Sequence, residues 1–199
     1  MPVEERPIIA ITMGDAAGIG PEVIIKALSS KSIIELCCPL LVGSASVMSE
    51  QIKSLGSSLK LNPVDRGDEA RGRFGTIDII DLRNLEREEV VTGTICRACG
   101  RAAMEYIETA SGMMLRGEAR AVVTAPINKE ATKQAGYEDI GHLEYMARLT
   151  GSTEYATMLV SGPLRVVHLT THHSLREACS LVTRERILAR LRLIQDTFK

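Results

Sequence analysis

The sequence predicts an α/β fold, with helices covering both faces of a sheet. Short β-type runs alternate with longer runs of helical spacing along the whole chain, the pattern of a layered α/β architecture. The first run empties into a glycine-rich turn that a proline-led helix follows at once. Neither an internal repeat nor a low-complexity linker interrupts the alternation.

Ile8–Thr12 reads as the first strand, and Gly14, Gly18 and Gly20 punctuate the turn after it. Pro21 then opens a helix to Ser29, because the first helical N–H has no intrahelical acceptor to lose. Val23, Ile24, Ala27 and Leu28 recur at helical spacing within it. Pro39–Val42 follows as a strand, then a helix from about Ala45 to Leu55, then a strand over Thr76–Leu82 behind a polar, glycine-containing stretch. The longest helical pattern runs from Cys96 to Arg116, and Ala121–Thr124 reads as a short buried strand. Helical patterns continue through Ala131 and Gln134 and over Leu143–Leu149. Tyr155–Val160 and Arg165–Leu169 pair around the Ser161-Gly162-Pro163 turn. Thr183 caps a last helix with Ile187, Leu188, Leu191 and Ile194 on one face.

Composition excludes several function classes. With 24 basic and 25 acidic side chains, no broad field points to nucleic acid or to a membrane surface. The chain has no Trp, two Phe and four Tyr, too few aromatics for stacking single-stranded bases. No apolar run approaches a bilayer span, and residues 1–7 lack a secretory pattern, so a cytoplasmic location is expected. Five cysteines fit reduced thiols better than a disulfide framework. Cys96 and Cys99 invite a redox or zinc reading, but they open a helical pattern and have no second Cys or His pair at zinc-ribbon spacing, so the reading as helix residues is the stronger one.

A strand, a glycine turn and a helix start together suit an anionic ligand. Yet Gly20 precedes Pro21-Glu22 rather than the Lys-Ser/Thr of a phosphate-binding P-loop. Val23 stands where a Rossmann turn needs a small residue, and the Pro39–Val42 run ends in Gly43-Ser44 instead of an acid. A nicotinamide cofactor is not held by that fingerprint here.

The segment Gly14-Asp15-Ala16-Ala17-Gly18-Ile19-Gly20-Pro21-Glu22 resembles the signature of the 4-hydroxythreonine-4-phosphate dehydrogenase (PdxA) family, with Ala16 where that family has Pro. Thr124-Ala125-Pro126-Ile127-Asn128-Lys129, Gly141-His142-Leu143-Glu144 and Thr170-Thr171-His172 follow in family order. The resemblance covers nearly the whole chain and implies the isocitrate/isopropylmalate dehydrogenase-like α/β/α sandwich, ending before its last elements. Residues 1–120 would form a first lobe, and residues 121–199 the start of a second, cleft and dimerisation lobe. Two family motifs with metal-binding histidines, Pro-His-Ala-Gly-Glu and Tyr-His-Asp-Gln-Gly, are not found up to Lys199.

The same resemblance implies oxidation of a secondary alcohol beta to a carboxylate, with NAD or NADP as hydride acceptor and Zn²⁺, Mg²⁺, Mn²⁺ or Co²⁺ on the substrate oxygen. Loss of CO₂ follows from the β-keto acid. The substrate is a small phosphorylated hydroxy acid, 4-phosphohydroxy-L-threonine on the route to pyridoxal phosphate. Relatives take D-threonate or D-erythronate 4-phosphate, or a dihydrodiol dicarboxylate. The active site is shared within a homodimer, no nucleic acid or membrane takes part, and these 199 residues alone are expected to be inactive. A non-catalytic module is the other reading.

His172 matches the family's first metal-binding histidine; His168 and His173 do not, and neighbours on an extended segment point apart. His142 matches a substrate-binding histidine, or else serves only to start the next helix. Leu143 stands where that family has Thr, which removes a hydroxyl from the substrate side. Lys129 would meet a phosphate or carboxylate, with Asn128 adding a hydrogen bond; the alternative for Lys129 is a solvated first-turn lysine. Asp15 is expected to hold its own turn, in the Asx manner.

Overall fold

The computed structural model describes residues 6–138, 141–171 and 173–198. At the centre of its larger sheet, β1 (Ile8–Thr12) lies between β2 (Cys38–Gly43) and β5 (Ala121–Thr124), with β4 (Thr76–Asp81) beyond β2 and β3 (Lys60–Pro63) at the edge. Every pairing in this five-stranded sheet is parallel. All six residues of β2 are buried, and Leu40, Leu41 and Val42 are fully so. Successive strand side chains point to opposite faces, so a strand buried at every position is covered on both. Ile77 and Ile79 of β4 and Ala10 of β1 join that core, each large aliphatic chain contributing about 1.5–3 kcal/mol by leaving water.

The helices α1 (Gly20–Leu28), α2 (Lys31–Leu36), α3 (Ala45–Ser54) and α4 (Arg97–Leu115) supply the cover. Pro21 occupies the first turn of α1, as its missing N–H allows. Ser44 caps α3 by accepting from the Val47 N–H at 3.2 Å, while its hydroxyl donates to the Leu85 carbonyl at 2.8 Å. The long α4 packs on β1, β2 and β5 through Cys99, Ala102, Tyr106, Ala110 and Met113, all buried. Two shorter helices, α5 (Lys129–Gln134) and α6 (His142–Thr150), follow β5 and pack on α4.

Two elements escape the sequence pattern in this region. The helix α2 is only six residues long, too short for a periodicity to show. The edge strand β3 is polar and ends in Pro63, which an edge tolerates because no neighbour asks for its N–H. The polar stretch before β4 is fixed from within the sheet. Asp78 is buried and accepts from Asn62 Nδ2 (2.7 Å) and from the N–H groups of Arg71 (2.7 Å) and Gly72 (2.8 Å).

The chain divides into two compact units, the first ending at Thr150 and the second beginning at Gly151. Arg120, where the sequence suggests a lobe boundary, lies inside the first unit; its N–H donates to the Ile8 carbonyl at 2.8 Å as β5 begins. The second unit carries an antiparallel pair, β6 (Met158–Ser161) and β7 (Leu164–Val167), and two helices, α7 (Leu175–Leu181) and α8 (Arg184–Thr197). Thr183 caps α8 at the Arg186 N–H (3.3 Å). Ile187, Leu188 and Leu191 on its expected apolar face are exposed. Among the described residues, no helix is long and apolar enough to cross a membrane.

Candidate functional site

From β1 the chain moves to one side of the sheet to make β2, whereas β5 joins β1 on the other side. Such a reversal opens a crevice at the carboxyl ends of the strands, where ligands of α/β sheets collect. The turns leaving β1 and β5 meet there. Ala125 N–H donates to the Thr12 carbonyl at 3.2 Å, and Asp15 N–H donates to the Pro126 carbonyl at 2.9 Å. Gly14 makes this closeness available: its φ is +70°, and a Cβ would stand 2.4 Å from the Pro126 oxygen. Asp15 Oδ1 accepts from the Ala17 N–H at 3.1 Å, the expected Asx arrangement. Burial pushes its carboxyl above the ordinary range, and the Ala17 hydrogen bond partly restrains the rise.

Asn128 and Lys129 follow directly on the turn at Pro126, and His142 reaches it through the Ala125 backbone. Asn128 is the N-cap of α5, its Oδ1 accepting from Glu130 N–H (3.0 Å) and Ala131 N–H (3.1 Å). That oxygen is therefore committed to the helix, and only the Nδ2 amide is left for a ligand. Lys129 follows as the first residue of α5, exposed, and among the described residues it forms no ion pair. His142 begins α6, as its helix-starting reading expects, yet its imidazole is no mere surface group. Nε2 is buried without a hydrogen-bond partner. Burial lowers the pKa of this ring from its ordinary value, and the Lys129 cation lowers it further, against a hydrogen bond to the Ala125 backbone. A buried imidazole with an orphaned nitrogen beside a cation is suited to an anionic oxygen once that nitrogen carries a proton. Leu143, next on α6 and 37 % exposed, has no hydroxyl to offer.

His172, the expected metal ligand, lies outside the described residues. His168 and His173 both belong to the second unit; His173 is exposed and near Glu177, whereas His168 Nδ1 is buried without a partner. Among the described residues, no three His, Cys, Asp or Glu side chains converge where a metal ion would sit. The described residues by themselves do not make a metal centre.

Sequence reasoning overlooked Gly100. A Cβ there would lie 2.2 Å from the Ala131 carbonyl group, so its absence lets α4 and α5 touch and sets where Asn128 and Lys129 stand. The signal was an isolated glycine inside a long helical pattern, unfavourable by about 1 kcal/mol unless packing demands it.

The described geometry has counterparts in known proteins. A model of the family described as "Pyridoxal phosphate biosynthetic protein PdxA" matches residues 35–199. A protein of Symbiobacterium thermophilum, provisionally named a D-threonate 4-phosphate dehydrogenase, is 43 % identical over 96 % of this chain and 57 % of its own. One of the same provisional name from Clostridium botulinum is 40 % identical over 94 % of this chain and 56 % of its own. The crystal structure of a 4-hydroxythreonine-4-phosphate dehydrogenase from Burkholderia phymatum superposes with a TM-score of 0.86 at 38 % identity, covering 92 % of this chain and 55 % of that one. The chain thus spans little more than half the length of these relatives.

Proposed function

Because this chain belongs to the PdxA family of pyridoxal phosphate biosynthetic proteins, we propose that it contributes the phosphate-facing part of a dehydrogenase site for a 4-phosphorylated hydroxy acid. The observation that carries this reading is the buried Nε2 of His142 beside Lys129, both without a polar partner among the described residues. A phosphate satisfies both: it neutralises the ammonium and holds a proton on Nε2, whose N–H then donates to a phosphate oxygen. Asn128 Nδ2 adds a neutral donor on the same side.

The substrate is 4-phosphohydroxy-L-threonine, oxidised at its secondary alcohol with loss of CO₂ on the way to pyridoxal phosphate. When bound, NAD or NADP takes the hydride and a divalent ion (Zn²⁺, Mg²⁺, Mn²⁺ or Co²⁺) polarises the substrate oxygen, with His172 among the ion's ligands. The working enzyme is a cytoplasmic homodimer with a shared site, and these 199 residues alone hold the phosphorylated end without turnover. This chain's own part is orientation: fixing the phosphate fixes the distance from it to the reacting carbon.

One observation favours a second substrate. Leu143 withholds the hydroxyl that a 4-phosphohydroxythreonine site has beside its histidine, a difference of about 1–3 kcal/mol if the partner group is left unpaired. D-Threonate 4-phosphate, named for the relatives at 40 % and 43 % identity, is the alternative.

The test measures reduction of NAD⁺ and NADP⁺ with 4-phosphohydroxy-L-threonine, D-threonate 4-phosphate, D-erythronate 4-phosphate and a dihydrodiol dicarboxylate, each with each metal. It is run on this chain and on a version extended to the relatives' length. Turnover by the extended chain confined to phosphorylated substrates, and lost in Lys129→Ala, is expected. Preference for the unphosphorylated dihydrodiol, or indifference to Lys129, would overturn the phosphate reading.

A further inference from the structure

Behind the glycine turn lies a pair of thiols that the proposed dehydrogenase site does not use. Cys96 is the N-cap of α4, and its Sγ accepts from the Cys99 N–H at 3.3 Å. Cys96 Sγ also lies 3.7 Å from the Glu89 carbonyl oxygen, to which it donates. Cys96 is half-buried and follows an exposed stretch, residues 91–95, whereas Cys99 is fully buried. Cys99 also lies close enough to the signature turn for its thiol to feel the Asp15 carboxylate. Gly93 N–H donates to the Ala17 carbonyl at 2.8 Å, tying the exposed stretch to the same turn.

From these contacts we infer that Cys96 and Cys99 form a thiol–disulfide switch whose closure acts on the Asp15–Ala17 turn. The 3.3 Å contact of Cys96 Sγ with the Cys99 N–H already seats one sulfur over the residue that carries the other, and closure needs the two Cβ atoms about 3.5–4.5 Å apart. Cys96 is not held to helical geometry. Its backbone is already extended (φ −125°, ψ 118°), outside the helix.

The chemistry is exchange with a small disulfide such as oxidised glutathione. The Cys96 thiolate attacks one sulfur of the small disulfide, breaking its S–S bond and releasing one thiol. The Cys99 thiol then loses its proton and attacks Cys96 Sγ, releasing the second thiol. The protein dithiol is oxidised by two electrons, and the small disulfide is reduced to two thiols. Burial raises the Cys99 thiol far above its ordinary pKa, which leaves the half-exposed Cys96 as the attacking group. Closure pulls on the exposed stretch that leads into Cys96, so the Gly93 N–H bond to the Ala17 carbonyl is lost from the turn.

Tryptic mapping tests this directly, because Arg97 separates the two cysteines. The chain carrying Cys179→Ser, which removes the one exposed thiol, is equilibrated in glutathione buffers of increasing oxidised fraction. Peptides 88–97 and 98–101 are expected to emerge linked and to part on reduction. In Cys99→Ser, Cys96 is expected to trap a mixed disulfide with glutathione. Amide exchange at Gly93 and over residues 14–20 is expected to quicken about fivefold on oxidation, the effect of one lost hydrogen bond. Unlinked peptides in the most oxidising buffer, or an unmodified Cys96 in Cys99→Ser, would refute the switch. Linked peptides with unchanged exchange would refute its action on the turn.

Discussion

The backbone N–H of Asp15 donates to the carbonyl oxygen of Pro126 across 2.9 Å, joining the turn after β1 to the turn after β5. The crevice between those strands is therefore built from main chain, and the side chains that face a ligand are mounted on it. Substitutions that disturb this joint should damage binding and stability together, whereas changes at Lys129 should touch binding alone.

Gly14→Ala tests the joint. The left-handed backbone by itself is unfavourable for an L side chain by about 1–2 kcal/mol. At Gly75 that is the whole effect, because φ is +84° and a Cβ there would meet nothing within 4 Å. At Gly14 the new methyl also meets the Pro126 oxygen at 2.4 Å. Urea unfolding should show Gly14→Ala to be clearly less stable than Gly75→Ala. Equal midpoints would mean that the two turns do not press together.

Gly100→Ala opposes two effects of known sign. Replacing a mid-helix glycine gains up to about 1 kcal/mol of helix propensity. Overpacking the α4–α5 contact typically loses about 1–3 kcal/mol. With backbone rather than a flexible side chain 2.2 Å away, the loss should win, and α5 should shift with Lys129 upon it. A lower unfolding midpoint accompanied by weaker inorganic phosphate binding is the expected pair of results; a stabilised variant would contradict the close approach.

His142 makes a pH prediction whose sign is fixed. Its folded pKa is lowered from 6.5, first by burial and then by Lys129, so the unfolded chain takes up the proton first as pH falls. Stability should then decline as pH drops from about 6.5 toward the folded pKa, and be unaffected by this group well above pH 6.5. NMR titration of the ring should show the lowered value, and Lys129→Met should raise it toward normal. A bound phosphate should raise it too, since the anion favours imidazolium, and phosphate should bind more tightly as pH falls. A titration insensitive to both Lys129 and phosphate would remove His142 from the site.

Much of this was legible in the chain because local rules and the fold agree. Ile8–Thr12 and Ala121–Thr124 match β1 and β5 residue for residue, since turn residues bracket short apolar runs. Thr183 and Pro21 announced their helix starts. The α2 helix and β3 strand were hidden because neither carries a stripe of its own. At the site, residue identities could be read from motifs, but partners could not. Nothing local says that the Asp15 N–H meets the Pro126 carbonyl, or that His142 reaches the Ala125 backbone. Nor does it say where α5 stands, which depends on α4 meeting it at Gly100, thirty-one residues before Ala131 in the chain.

Asn128 separates capping from ligand contact most cleanly. Its Oδ1 holds the Glu130 and Ala131 N–H groups, while Nδ2 is the only part left for a phosphate. Asn128→Ala removes both, and should reduce stability by about 0.5–2 kcal/mol as the cap is lost. Asn128→Asp keeps an oxygen for the cap and even suits the helix start electrostatically, so its unfolding midpoint should stay close to that of the parent. It also replaces the donor with a negative charge beside Lys129, which should weaken phosphate binding and raise the His142 pKa. Stability retained with affinity lost is the expected signature of a residue that does both jobs. If Asn128→Asp binds phosphate as well as the parent, Asn128 serves the helix alone, and the anion's contacts reduce to Lys129 and His142.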